Sequence, residues 1–299
     1  MRLLQNTHFD FLGKRRLAGF ISAAVIVLGI GSLVAKGGPA LGIDFTGGTL
    51  AQLRFAEPVE IGDLRSRLME AGFEALTIQQ FGSPADILLR APTEDDPNID
   101  FGDRLRGALA GESFEILRLE LVGPKIGGEL RSKALQAVFY ALLFILFYIT
   151  VRFDRYYALG AVAALAHDVL ITLGIFSLLN LEIDLAIIAA FLTIVGYSLN
   201  DTIVVFDRIR ENLRLDRKAD LFLTVNRSLN QTLSRTIITS VTTFVVVLIL
   251  YLFGGEVIRY FAFALIIGVV VGTYSSLYVA GPIMATLEAR AQRRAGARS

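Results

Sequence analysis

The sequence predicts a polytopic α-helical membrane protein with six transmembrane helices and a small α+β domain between helices 1 and 2. Three observations carry this. Hydrophobic residues make up 54% of the 299, only 19% are charged, and the mean hydropathy is +0.58, whereas a soluble domain carries about 25% charge. The apolar residues gather in six long runs. Residues 36–133, between the first two runs, have the composition of an ordinary soluble domain.

The runs are Leu17–Ala35, Ala134–Val151, Ala158–Leu179, Leu185–Phe206, Ile237–Leu252 and Ile258–Leu287, the membrane portion of the last being nearer Tyr260–Pro282. Each approaches the ~20 residues that cross a hydrocarbon core. Lys14, Arg15 and Arg16 precede the first run, as in a secretory signal. Its apolar stretch exceeds the roughly 7–15 residues of that class, and Leu33-Val34-Ala35 is a poor cleavage site, so a retained anchor is expected.

Lysine and arginine in short loops set orientation. They fall in the N-terminal segment (Arg2, Lys14–Arg16), in 152–157, in 207–235 and in the tail after Leu287. The connections 180–184 and 253–257 carry Glu182, Asp184 and Glu256 and no basic residue. Both termini are therefore expected in the cytoplasm. The organisation reads as 1–35 (N-terminus and helix 1), 36–133 (periplasmic domain) and 134–299 (helices 2–6, a cytoplasmic loop at 207–235 and a cytoplasmic tail).

The 36–133 domain has 11 Lys and Arg against 16 Asp and Glu, a net of −5. "GIDFTGGTLAQLRF" (42–55) reads as a strand in which Gly47-Gly48 marks a bulge or a close backbone approach. "EIGDLRSRLMEAG" (60–72) puts Leu64, Leu68 and Met69 on one helical face and stops at Gly72. "ALTIQQFG" and "ADILLRA" read as strands joined through Gly82–Ala85, "IDFGDRLRGALAG" as a helix and "SFEILRLELVG" as a last strand. The order βαββαβ is that of a ferredoxin-like sandwich.

With no cysteine and only His8 and His167, far apart, thiolate metal sites and disulfides are excluded and no metal or cofactor site is expected. "TGGT" and "GPKIGGE" lack the spacing of a nucleotide-binding loop. Without such a motif or a Ser-His-Asp arrangement, the chain does not read as an enzyme. No nucleic-acid partner is expected.

The fourth run is interrupted by a polar band, Tyr197, Ser198, Asn200, Asp201 and Thr202. An aspartate in a membrane span is costly and marks function. The fifth run opens with Arg235, Thr239 and Thr242 at helical spacing, and the third holds His167, Asp168 and Thr172. Charged residues in three consecutive spans imply an internal polar cluster facing other helices, and membrane lipid is an expected partner of the spans. Asp201 and Arg235 form either a static pair that sets helix register or a proton relay in which movement of the arginine changes the proton affinity of Asp201. Ser198, Asn200, Thr239, His167 and Asp168 are the supporting polar residues.

"GIDFTGGT", "GPKIGGELRSKA", "AHDV", "VGYSLNDTIVVFDRIREN" and "NQTLSRTIITSVTT" together resemble the SecF family of protein translocase subunits, within the SecD/SecF family and the resistance-nodulation-division superfamily. The resemblance runs over nearly the whole chain. It implies a multi-pass protein of the bacterial inner membrane paired with a six-span SecD, associated with the SecYEG channel and YajC. It implies use of the proton-motive force to draw preproteins across, with the proton as coupling ion and no bound cofactor. Asp201 and Arg235 match the family's proton-path positions, and a partner aspartate lies in SecD. Two other classes stay open: a proton-coupled small-molecule antiporter of the same superfamily, and a non-transporting scaffold.

Overall fold

The computed structural model describes residues 7–73, 76–92, 100–216 and 219–296. The chain forms two compact units, Leu41–Gln136 and Met1–Ala40 with Ala137–Ser299. The second unit opens with α1 (Arg15–Ala35). This helix ends in a paired turn: Gly38 N–H donates to Leu33 O at 2.8 Å and Gly37 N–H to Val34 O at 3.1 Å. Gly37 has φ +75° there, a conformation that suits glycine.

The Leu41–Gln136 unit contains α2 (Ile43–Thr46), β1 (Gly48–Phe55), α3 (Ile61–Glu70), β2 (Thr77–Phe81), β3 (Ser83–Ala91), α4 (Phe101–Ala108) and β4 (Phe114–Val122), with the start of α5 (Pro124–Arg152). The strands lie in the order β2-β3-β1-β4, each antiparallel to its neighbours. After the short α2, this is the βαββαβ arrangement. Leu64 and Leu68 of α3 and Leu105 of α4 pack with Leu53, Ile87 and Leu89 of the sheet. Asp100 caps α4, accepting from Gly102 N–H at 2.7 Å.

Three expectations change here. Residues 42–55 are not one strand: Ile43–Thr46 is a helical turn, and β1 starts only at Gly48. The break is made by Gly47 (φ +73°) and Gly48 (φ +125°). A Cβ on Gly48 would stand 2.6 Å from Ala91 O, one on Gly47 2.9 Å from Pro124 Cα, and one on Gly127 2.9 Å from Gly47 N. Gly47 and Gly48 of "TGGT" and Gly127 of "GPKIGGE" therefore serve close backbone approach, whereas Gly123 and Gly128 have nothing within 4 Å of an added Cβ. Met69 is 64% exposed and outside the core, because Leu64 and Leu68 already fill the inward stripe of a ten-residue helix. The β2–β3 link is the single residue Gly82 (φ +84°), and Ser83, Pro84 and Ala85 belong to β3.

After α5 come α6 (Arg155–Leu178), α7 (Leu185–Leu215), α8 (Leu221–Phe253), α9 (Glu256–Ser275), a π-helical turn (Ser276–Ala280) and α10 (Gly281–Gly296). Among the described residues six helical segments are long and apolar enough to cross a membrane, the last running through α9 and α10. They pack through small residues, as helices do where the surroundings are as apolar as leucine. A Cβ on Gly29 of α1 would stand 2.7 Å from Gly174 Cα of α6, and one on Gly160 would stand 2.7 Å from Ala280 O. Half or more of the apolar stretch is buried in α6 (56%) and α7 (50%), against 11% in α5, which presents Phe139, Phe144 and Phe147 outward.

The segment 207–235, expected as a loop, is helical over most of its described residues. α7 continues through it to Leu215, and α8 starts at Leu221 with Asp220 accepting from Leu223 N–H at 2.9 Å. Val225, Leu229 and Leu233 do not face a membrane surface, although their spacing with Phe222 suggests it. Val225, Leu229 and Leu233 are buried in a protein core with Phe11, Leu12 and Phe206. On the same helix Asn226 and Asn230 clasp the N-terminal segment. Phe9 N–H donates to Asn230 Oδ1 at 2.8 Å, Phe11 N–H donates to Asn226 Oδ1 at 2.9 Å, and both amides donate back to Phe9 O. The helix is amphipathic because its apolar side meets protein.

Candidate functional site

Two polar centres lie among the apolar helices. The first surrounds Asp168, fully buried near the middle of α6. Its Oδ1 accepts from His167 Nδ1 at 2.9 Å, and its Oδ2 accepts from Ser198 Oγ of α7 at 2.5 Å and Ser275 Oγ of α9 at 2.7 Å. His167 Nε2 meets Ser22 Oγ of α1 at 2.9 Å. Ser22 lies 3.1 Å from the Tyr274 hydroxyl, which donates to Ala18 O at 2.8 Å. Tyr274 also stacks on the His167 ring at 5.8 Å. A buried carboxylate is tolerable only with such partners; here α6, α7 and α9 supply them, and α1 joins the network through His167. The π-helical turn follows Ser275 directly, a frequent location for such turns.

The second centre is Asp201, on α7 one turn beyond Ser198. Its residue exposure is 4%, and Oδ2 accepts no hydrogen bond from the described protein. Two further buried hydroxyls, Thr202 Oγ1 beside it in sequence and Thr236 Oγ1 on α8, are likewise without a partner. Arg235 on α8 is within electrostatic reach of Asp201. Its side chain is exposed, and no hydrogen bond or ion pair joins the two. Burial without a hydrogen bond is costly for a carboxylate, and an ionisable residue so placed within a membrane span is a candidate functional group.

Of the residues selected from sequence, Ser198, His167 and Asp168 meet in one network. Asp201 and Arg235 form a separate centre, joined to the first only along α7. Asn200 does not enter either: it is exposed, because position 200 faces away from the buried stripe of Ser198 and Asp201. Thr239 is spent on its own helix, donating to the carbonyls of Arg235 and Thr236 at 3.0 and 2.9 Å. Thr172 does the same toward Asp168 O at 2.8 Å. Arg235 does not open the fifth helix but lies within it, α8 having begun at Leu221.

Sequence reasoning missed Ser22, Tyr274, Ser275 and Thr236. The missed signal is one residue type per helix: a serine in the first run and "TYSS" in the last, each unremarkable alone. A third small chain was missed too. Thr273 Oγ1 donates to Ser240 Oγ at 2.6 Å, and Tyr197 OH donates to it at 3.5 Å, linking α7, α8 and α9.

The family model for the C-terminal region of SecD/SecF protein export membrane proteins matches residues 105–290, and the SecD/SecF GG motif matches 32–59. The stretch matched by the GG motif contains both Gly37-Gly38 and the Gly47-Gly48 break. The chain is 46% identical over 286 residues to the protein translocase subunit SecF of Desulfurispirillum indicum, covering 93% of this chain and 91% of that one. It is 44% identical over 301 residues to SecF of Magnetococcus marinus, covering 98% and 96%. Among solved structures, SecDF of Thermus thermophilus, a translocon-associated membrane protein, superposes with a TM-score of 0.88 at 42% identity, over 96% of this chain and 40% of that one. A SecDF in the super-membrane-facing form superposes with a TM-score of 0.73 at the same identity. This chain therefore spans about two fifths of the solved chains that it matches and nearly the full length of the SecF relatives. The chain belongs to the SecF subunits of the SecD/SecF family of protein export membrane proteins.

Proposed function

We propose that this SecF subunit works with a SecD partner to couple proton movement to preprotein export through the SecYEG channel, with YajC as a further associate. Asp201 carries the proton, and the charge of Arg235 governs when it is held. The observation that supports this reading most is the buried, unbonded Asp201 with an exposed arginine on the adjoining helix. A static pair would be expected to bond directly. The 40% coverage of the SecDF chain fits a division of the machine in which the remaining part supplies the second aspartate. The basic residues of the N-terminal segment, 152–157 and the tail support cytoplasmic termini, a periplasmic 36–133 domain and residence in the bacterial inner membrane.

The test is Asp201→Asn, which preserves size and hydrogen bonding but cannot titrate. In a strain depleted of its own SecF, the variant is expected to insert and to co-purify with SecD while export loses its dependence on the proton-motive force. Full complementation would remove the relay.

A further inference from the structure

A groove of about 540 Å³ runs between α1, α6 and the π turn with α10, at the end of the helix bundle that carries both chain termini. Its mouth holds three arginines, Arg15, Arg16 and Arg290. No Asp or Glu lines it. Among the described residues Arg16 and Arg290 have no ion pair, and both are exposed. Arg15 is partly used, donating to Leu12 O and lying 5.2 Å over the Phe222 ring. The first turn of α1 forms one lip of the mouth, and it has neither an acidic residue nor a side-chain cap, so the positive end of that helix adds to the arginines. Below the mouth the walls turn apolar, with Ile26 of α1, Val279 of the π turn, and Ile283 and Leu287 of α10. The floor is reached at Ser22 and His167.

We propose that this groove binds one anionic phospholipid, its phosphate held at Arg16 and Arg290 and one acyl chain lying along Ile26, Ile283 and Leu287. The occupant follows from the two-part character of the walls. A soluble anion would use only the mouth, and an apolar partner helix would leave a cluster of arginines buried without counter-charge. A diacyl phosphate lipid satisfies both, and basic pockets between membrane helices are the setting in which such head groups are recognised. Because the floor is His167 and Ser22, the lipid would cover the outer end of the Asp168 network and keep it from water. This inference does not depend on the proton reading of Asp201: a bound lipid is detectable whether or not export is proton-driven.

The test titrates the purified full chain in detergent with phosphatidylglycerol and with phosphatidylcholine of the same acyl chains, read by native mass spectrometry. Wild type is expected to prefer phosphatidylglycerol. Arg16→Gln with Arg290→Gln is expected to weaken phosphatidylglycerol binding about thirty-fold, the ratio to which two basic groups at about 1 kcal/mol each convert, and to weaken phosphatidylcholine, whose phosphate is offset by its own choline, much less. Arg16→Lys with Arg290→Lys should restore most of it, which separates lost charge from lost folding. Ile283→Trp, which fills the apolar part, should weaken both lipids. Equal affinity for the two lipids would overturn the proposal, as would undiminished phosphatidylglycerol binding by the Gln pair or competition by glycerol phosphate as strong as by the whole lipid. A photo-crosslinker at Ala23, which lines the groove, should capture lipid in native membranes; capture of a protein helix there would overturn it equally.

Discussion

The Ser198 hydroxyl donates to Asp168 Oδ2 at 2.5 Å, tying α7 to α6 at the level where α9 adds Ser275 to the same oxygen. Three helices thus share one carboxylate. Asp168→Ala would strand His167, Ser198 and Ser275 and is expected to cost about 3–5 kcal/mol, the range for removing one member of a buried charged cluster. Ser198→Ala removes one donor and should cost only about 0.6–1.7 kcal/mol, as for single interhelical bonds. Thermal unfolding of both variants in detergent checks the ratio; equal, small losses would mean that the network is not what joins these helices.

In the proposed relay Arg235 acts on Asp201 through its charge, since it is exposed and no hydrogen bond or ion pair joins the two among the described residues. Charge rather than the planar fork of the guanidinium is then the property that matters. Arg235→Ala is expected to abolish export in the depleted strain, and Arg235→Lys to retain a substantial part of it. Topology checked by cysteine labelling should be unchanged in both, because the many other basic residues on that side remain. A lysine variant as inactive as the alanine would instead require a directed guanidinium contact in another state of the cycle.

Gly29 and Gly174 bring the α1 and α6 backbones into direct contact: a Cβ on either would stand 2.7 or 2.8 Å from the other's Cα. Gly174→Val has no space without moving α1, and α1 carries Ser22 of the Asp168 network. A loss of about 1–3 kcal/mol is expected, the usual cost of overpacking. Gly31→Ala is the control, since nothing lies within 4 Å of the position its Cβ would take. Unfolding midpoints of the two variants should differ clearly.

In the Leu41–Gln136 unit, Asp86 of β3 accepts from Arg54 of β1 at 2.7 and 3.1 Å and from Ser83 at 3.0 Å. The Arg54 guanidinium holds its carboxyl below the ordinary 3.8, against the opposing effect of burial. A depressed folded value means stability that is fully present above the unfolded value and is lost as pH falls through the folded one. Arg54 is 53% exposed, so the effect is modest. Amide exchange of β1 and β3, followed from about pH 6 to about pH 3, should lose protection more steeply in wild type than in Asp86→Asn. Parallel profiles would show that the pair does not contribute.

Much of this protein was legible from the order of its residues. Six apolar runs, each near the length that crosses a bilayer, fix the number of membrane helices, because hydrocarbon forces the backbone to bond within each span. Alternation and turn residues between Lys36 and Lys133 specify the βαββαβ order for the same local reason. Asp201 was visible as a carboxylate with no business in an apolar run. The helix extensions at 207–215 and 221–235 were hidden by their charge, which reads as loop. Asp220 caps the second, and its apolar side finds Phe11 and Leu12 from the far end of the chain. Only the tertiary structure decided that Ser198 serves Asp168 and not Asp201, that Asn200 faces outward, and that Ser22, Tyr274 and Ser275 complete a network begun at His167. Those residues lie up to 253 positions apart. A hydroxyl's partner is fixed by which helices cross, and crossing is set by close contacts such as Gly29 on Gly174, which no local pattern announces.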